Sequence, residues 1–274
     1  MKNIFKAILY FAGLTALFLW AGYLLGGSRG ILASFLFAAL ANSLAFWWSD
    51  RLILRAHRAE PLSEHLAPEV FTLIRELCGE TGLPMPRVYF IPTASPNALA
   101  TGRSPQDAAL ILTQGAIEML NREELKGVLA HELAHVESGD ILISTLVAAF
   151  ASILMLLASG VKGMFWLGSA RDSRGGGMNP LVFLATGILF CLAALLIRLL
   201  GSQSREYAAD RRGGQWCGNP LYLASALSKL EAGLNRFPMR QGQPAAVHLF
   251  IISPLEGKLA ALFKTHPPVE ERIA

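Results

Sequence analysis

Four stretches of this sequence are uncharged for long enough to cross a bilayer, which takes about 20 helical residues. They are Ala7 to Ser28, Ile31 to Ser49, Ile141 to Val161 and Gly175 to Ile197. Composition agrees: 53% of the 274 residues are hydrophobic and 16% charged, where soluble domains carry roughly 25% charge. A signal peptide is the other reading of the first run. Its apolar part exceeds the roughly 7 to 15 residues of a signal core and no small-residue cleavage pattern closes it, so a retained anchor is expected. The pair Trp47-Trp48 ends the second run as an interfacial belt would.

Lysine and arginine placement sets the orientation. Lys2, Lys6, Arg51, Arg55, Arg58, Arg198, Arg205, Arg211 and Arg212 fall on one side, against Arg29, Lys162, Arg171 and Arg174 on the other. Both termini are therefore expected in the cytoplasm of a multi-pass plasma (inner) membrane protein. Gly160, Gly163 and Gly168 leave two options for the second hairpin, crossing or dipping, and either returns the chain to the same side. The expected organisation is two transmembrane helices in residues 1–50, a membrane hairpin in 141–197, and one cytoplasmic domain built from 51–140 and 198–274. The net charge of +4 then belongs to loop lysines and arginines, and no nucleic-acid partner is expected. Cys78, Cys191 and Cys217 are odd in number and lack CxxC spacing, which argues against a disulfide framework.

The polar remainder reads as α+β, mainly helical, with a small sheet. "VFTLIRELCGETG" has the spacing of an amphipathic helix stopped near Gly82. "PRVYFIP" and "DAALILT" read as short strands, with "NALATG" an extended edge between them. "NREELKGVLAHELAH" opens on Asn121 with Glu124 three residues on, the pattern of a capping box, so a helix follows. On that helix His131 and His135 project from one face a turn apart and can share one ion. Glu132 is rotated about 100° away, off the metal axis but close enough to hold a water on the ion. This is a catalytic-zinc pattern: two neutral nitrogens and one unligated carboxylate base.

Such a site needs a third protein ligand and keeps one position open. Serine, glycine and leucine at positions 138, 139 and 142 exclude the extended HExxHxxGxxH form, and Glu137 points away from His135. The remaining candidate is Glu206 in "SREYAAD", with Asp210 one turn later placed to hold the far nitrogen of a ligating histidine. The competing readings are surface pairs, Glu206 with Arg205 or Arg211 and Asp210 with Arg211 or Arg212.

"LAHELAHVESGD", "REYAAD", "PNALATG" and "LFKTHPPVEERI" follow one another as they do in the HtpX-like membrane zinc metalloproteases, gluzincins related to the CAAX-prenyl protease, and the chain resembles that family over nearly its whole length. The resemblance implies a membrane-anchored zincin-like fold with about four transmembrane helices and one Zn2+ per chain. It implies His131, His135 and Glu206 as ligands, Glu132 as base and Asp210 behind a ligand. It further implies that Asn97 lines the substrate cleft, and that His266 and Arg272 border the metal, with His266 stabilising an oxyanion. Gln203 departs from the arginine the family often carries three residues before the glutamate, which touches the local charge network rather than the ligand set.

His57 and His65 are read as surface or interface residues, and His248 as packing against or gating the cleft. The loop "RDSRGGGMNP" lacks the strand and GKS/T ending of a phosphate loop. The expected activity is zinc-dependent endoproteolysis at the cytoplasmic face, on protein or peptide substrates that include membrane proteins, in membrane quality control. A non-cleaving, metal-stabilised scaffold or adaptor is the alternative, and retention of Glu132 argues against it. The charges of "NREELKG" argue against a motif buried within a span, and the absence of acidic residues inside the apolar runs argues against a transporter.

Overall fold

The computed structural model describes residues 2–152, 203–239, 244–254 and 266–274, with single helical positions at 155, 188 and 195. Helix α1 (Lys2–Ala56) is broken at Gly26 and Gly27, where Gly27 takes φ 57°, so the first two apolar runs become the two limbs of one hairpin. Asn42 donates to the Thr15 hydroxyl at 2.9 Å, and Phe18 meets Phe37 edge to face, holding the limbs together. Gly26–Ala56 is, among the described residues, the single unbent helix long and apolar enough to cross a membrane, and Ala7–Trp20 is a shorter apolar helix. Its exposed Leu32, Phe35, Leu36 and Leu40 leave an apolar face uncovered by protein. Of the about four transmembrane helices expected, the described residues show one such helix, and a second only if the bent pair Arg122–Ser138 and Asp140–Ser152 counts as one span. The third run is described without interruption only as far as Ser152, and the fourth lies almost wholly outside the described residues.

Past α1 the chain adds β1 (Glu60–Pro61) and α2 (Pro68–Thr81), then β2 (Arg87–Ile91), β3 (Ala98–Thr101) and β4 (Ala109–Thr113). The sheet order is β1-β2-β4-β3, with β2 and β4 parallel and the two outer pairs antiparallel. β4 is central and buried on both faces, which explains its unbroken apolar run. Because side chains alternate along a strand, Leu110 and Leu112 enter the main core with α2 and two later helices. Ile111 points the other way, to Ile53, Leu54, Leu99 and Phe250.

Helix α3 (Gln114–Met119) leads into α4 (Arg122–Ser138). The expected capping box is present: Asn121 Oδ1 accepts from the Glu124 amide, and Glu124 accepts from the Asn121 amide. Glu124 also accepts from Ser225 at 2.6 Å and pairs with Lys229 at 2.8 Å, so one carboxylate both starts α4 and ties it to α7 (Pro220–Arg236). At Gly139, left-handed with φ 72°, the chain turns by 90° into α5 (Asp140–Ser152). Residues Ile141, Ile143 and Leu146 to Ala151 are buried, and Phe150 packs on Phe11, Leu14 and Ala45 of the α1 hairpin. α6 (Gln203–Trp216) and the short α8 (Val269–Ile273) complete the described helices.

His57, just past the end of α1, is buried rather than at the surface; His65 is exposed as expected. The His57 ring stands edge-on to Phe250 at 5.2 Å and its Nε2 has no hydrogen-bond partner among the described residues. Burial lowers its pKa to about 4. In the unfolded chain His57 takes a proton below about pH 6.5, and in the fold only near 4, so its contribution to stability is complete above 6.5 and lost as pH falls toward 4. Two and a half units correspond to about 3 kcal/mol. His57→Phe is expected to remove most of that acid sensitivity while keeping the ring contact. Denaturant unfolding at pH 7 and pH 4.5 checks it, and equal losses in both proteins would contradict it.

Candidate metal centre

The buried face of α4 carries Val128, Leu129, Ala130, Leu133 and Ala134, small and apolar side chains that pin the helix into the core. His131 is fully buried, and His135 one turn on reaches the cavity wall. Their rings meet edge to face with centroids 4.8 Å apart. α6 crosses directly over this turn. A Cβ on Gly213 would lie 2.9 Å from both the nitrogen and the Cα of His131, so only glycine lets the two helices come this close.

That crossing delivers Glu206 and Asp210 to the histidines. Glu206 Oε2 lies 3.8 Å from His131 Nε2, and Oε1 lies 3.6 Å from His135 Nε2. One ligand atom from each of the three residues falls within 4.8 Å of the others. Asp210 Oδ1 stands 2.9 Å from His131 Nδ1, the nitrogen facing away from that cluster. Arg272, on α8, grips Asp210 with two parallel bonds of 2.8 and 2.9 Å, and donates a third to the Ile251 carbonyl. His266 Nδ1 is 2.8 Å from Glu206 Oε2, and its Nε2 is 3.1 Å from the His248 carbonyl. The surface pairs that competed for Glu206 and Asp210 do not form: Arg205 turns to Asp140 and Arg212 to Glu137.

The residues converge on a cavity walled by His131, Glu132, His135, Glu206, His248 and His266 together with Ala100, Ile141, Ser144, Leu249 and Ile251. His131 Nε2 and Glu132 Oε1 are buried there with no hydrogen-bond partner among the described residues. Unsatisfied buried polar atoms are costly. Two imidazole nitrogens and a carboxylate oxygen facing a common point are a donor set that a divalent metal completes. Burial dominates at His131, outweighing the pull of Asp210 and lowering its pKa to about 4, so it presents a neutral ring at pH 7. Burial likewise raises Glu132 to about 8. At His135 burial works against the charge, but Glu206, Asp140 and Glu132 prevail and raise it to about 9. Asp210 is lowered to about 2, because Arg272 and His131 outweigh its desolvation.

Not every residue singled out from sequence lies at the cavity. Asn97 is completely buried: its Nδ2 donates to the Ile252 carbonyl, and its Oδ1 accepts from the Ala98 and Ile252 amides. It fastens residues 244–254 to β3 instead of walling the cleft. Arg272, expected to border the metal, is bonded to Asp210 and Ile251 and stands 3.9 Å from Glu206 Oε2, behind the residues that wall the cavity. His248 does line the cavity, with Nε2 against the Ser144 carbonyl at 3.1 Å. Two residues at the centre had no assignment from sequence. Gly213 sets the helix crossing, and Asp140 lies 3.8 Å from His135 Nδ1. The Gly-Asp pair closing "HELAHVESGD" was the one available signal for Asp140.

The profile described as "Peptidase family M48" matches residues 64–274. The protein named "Protease HtpX homolog" of Syntrophobacter fumaroxidans is 46% identical, covering 100% of this chain and 98% of its own length. A protein of the same name from Thermococcus sibiricus is 42% identical, covering 96% and 91%. Among solved structures, that titled "Crystal Structure of S. mikatae Ste24p" is similar in fold, with a TM-score of 0.52 and 17% identity over 99% of this chain and 65% of that one.

Two substitutions test how the centre is assembled. Asp210→Asn removes the charge behind His131 and is expected to weaken metal affinity by about 10- to 100-fold. Gly213→Ala forces α6 away from the His131 backbone and is expected to cost at least about 10-fold. Competition with chelators of known affinity reads both, and parental affinity in Gly213→Ala would show that the crossing is not the determining contact.

Proposed function

This chain belongs to peptidase family M48, and on that premise we propose a membrane-anchored zinc endopeptidase that cleaves misfolded or damaged membrane proteins at the cytoplasmic face. The chain is a metallopeptidase by family and by its full-length relatives, and it is membrane-associated. The observation that carries the proposal is the meeting of His131, His135 and Glu206 in one cavity with the unpartnered Oε1 of Glu132. Two imidazoles and one carboxylate with a position left open favour zinc over harder ions, which prefer all-oxygen sites.

Zinc held there supplies Lewis acidity to water and to the scissile carbonyl. Glu132, whose ionised form a cation held beside it would favour, takes the proton of the attacking water at Oε1 and delivers it to the leaving amine. His266, in the cavity wall beside Glu206, meets the negative charge growing on the carbonyl oxygen. Asp210, braced by Arg272, keeps the His131 proton on Nδ1 and the Nε2 lone pair toward the ligand cluster. Residues 1–50 and 141–197 anchor the protein in the bilayer, and 51–140 with 198–274 form the cytoplasmic catalytic domain.

A cavity close to the membrane is supported by the Gly139 elbow that ends α4 and by the turn of α5 against the α1 hairpin. Loops and tails of membrane proteins are the substrates such a position serves. A metal-stabilised scaffold that does not cut is the competing reading. It leaves Glu132 buried, raised to about 8, and with its Oε1 unpartnered among the described residues and without a purpose.

Hydrolysis of an unfolded model protein by the detergent-purified chain, with and without zinc, decides between them. Zinc-dependent cleavage is expected, falling by at least about 1,000-fold in Glu132→Gln while bound metal stays at one equivalent. Negligible cleavage by both proteins at one equivalent of zinc would favour the scaffold.

A further inference from the structure

Each histidine of the motif shows one ring nitrogen to the ligand cluster and the other to an aspartate. For His131 the aspartate is Asp210, gripped in turn by Arg272. His135 has a looser version of the arrangement from a different part of the chain. Its Nε2 faces Glu206 at 3.6 Å, and its Nδ1 faces Asp140 Oδ2 at 3.8 Å. Asp140 Oδ1 faces the Arg205 guanidinium at 3.6 Å, and Ser138 donates to Oδ2 at 2.8 Å. Asp140 is 7% exposed, so these charge contacts are shielded from water and act at strengthened range.

We propose that Asp140 is the positioning residue for His135, and that Arg205 holds it in place across the mouth of the apolar segment. Asp140 is the first residue of α5, where the chain leaves the domain for the run beginning at Ile141. Arg205 lies on α6, where the chain has returned, immediately before the ligand Glu206. Outgoing and returning stalks are therefore joined by an ion pair whose acidic member orients a ligand. Any change in the spacing of the two stalks moves Asp140 relative to His135. Metal affinity is thereby coupled to the spacing of Asp140 and Arg205. The Gly139 elbow makes this possible: its left-handed turn swings Asp140 back beneath the histidine, which a continued helix would carry away.

The inference rests on the metal-site reading above and is tested on metal affinity rather than cleavage. The full-length chain in detergent is titrated with zinc against a chelator, as parent, Asp140→Ala, Asp140→Asn, Arg205→Gln and the double variant Asp140→Ala/Arg205→Gln. Asp140→Ala is expected to bind about 10- to 100-fold more weakly. Asp140→Asn keeps an oxygen facing Nδ1 without the charge and should fall between Asp140→Ala and the parent, with an unchanged unfolding midpoint. Arg205→Gln is expected to cost several-fold alone and nothing further once Asp140 is alanine, since it acts through that side chain. The visible spectrum of the cobalt(II)-loaded chain should shift in Asp140→Asn, reporting an altered histidine. Parental affinity in Asp140→Ala, or an Arg205→Gln loss that is the same with and without Asp140, would overturn the inference and leave the metal site standing. A parent that takes up no zinc would overturn both.

Discussion

Where α6 crosses α4, Gly213 rests against the backbone of His131, and the chemistry of the cavity follows from that contact. About two turns before Gly213 on the same helix, Glu206 arrives between the two histidines, with Asp210 behind the first. Two carboxylates and two imidazoles in a buried space would be prohibitive if left to themselves. Arg272 neutralises one carboxylate, His266 approaches the other, and His131 Nε2 and Glu132 Oε1 are left facing the cavity without a hydrogen-bond partner among the described residues. The close crossing and the charge balance therefore depend on each other. Without the glycine the acids would not reach, and without α8 they would not stay.

Much of this was legible in the sequence because it is local. Asn121 and Glu124 announce the start of α4 three residues apart, and the cap forms as read. The strands of "PRVYFIP" and "DAALILT" appear as Arg87–Ile91 and Ala109–Thr113, and the helix through "VFTLIRELCGETG" ends at Gly82 as expected. The histidine pair needs only the helical period to be placed. Glu206 stayed open between ligand and surface acid, because its neighbours in sequence include three arginines and its neighbours in space come from other helices. Asp210 could be assigned Arg211 or Arg212 from sequence, but its partner is 62 residues away. Asn97 belongs to a motif associated with a cleft, yet its side chain closes on Ile252, 155 positions on. Its burial is invisible until the chain has folded.

Hydropathy has a comparable blind spot. The third apolar run reads like lipid-facing helix, but its described part, α5, buries most of its length against the α1 hairpin and the sheet. An all-round apolar helix satisfies either environment, and only the packing distinguishes them. His57 is the polar counterpart. A histidine after a membrane span suggests a wet interface, whereas here the ring is sealed against Phe250, which belongs to the segment that Asn97 fastens to β3.

The brace on Asp210 also has a bearing on when the protein becomes a protease. A chain leaving the ribosome displays His131, Glu132 and His135 long before Arg272 has been made. Until that arginine docks, Asp210 lacks the counter-charge that holds it ionised behind His131. The nascent protein therefore carries the sequence of a peptidase without its assembled centre. Competence waits for Arg272, which is translated after the apolar runs that precede it, so the centre closes only on a chain whose apolar segments have already been made.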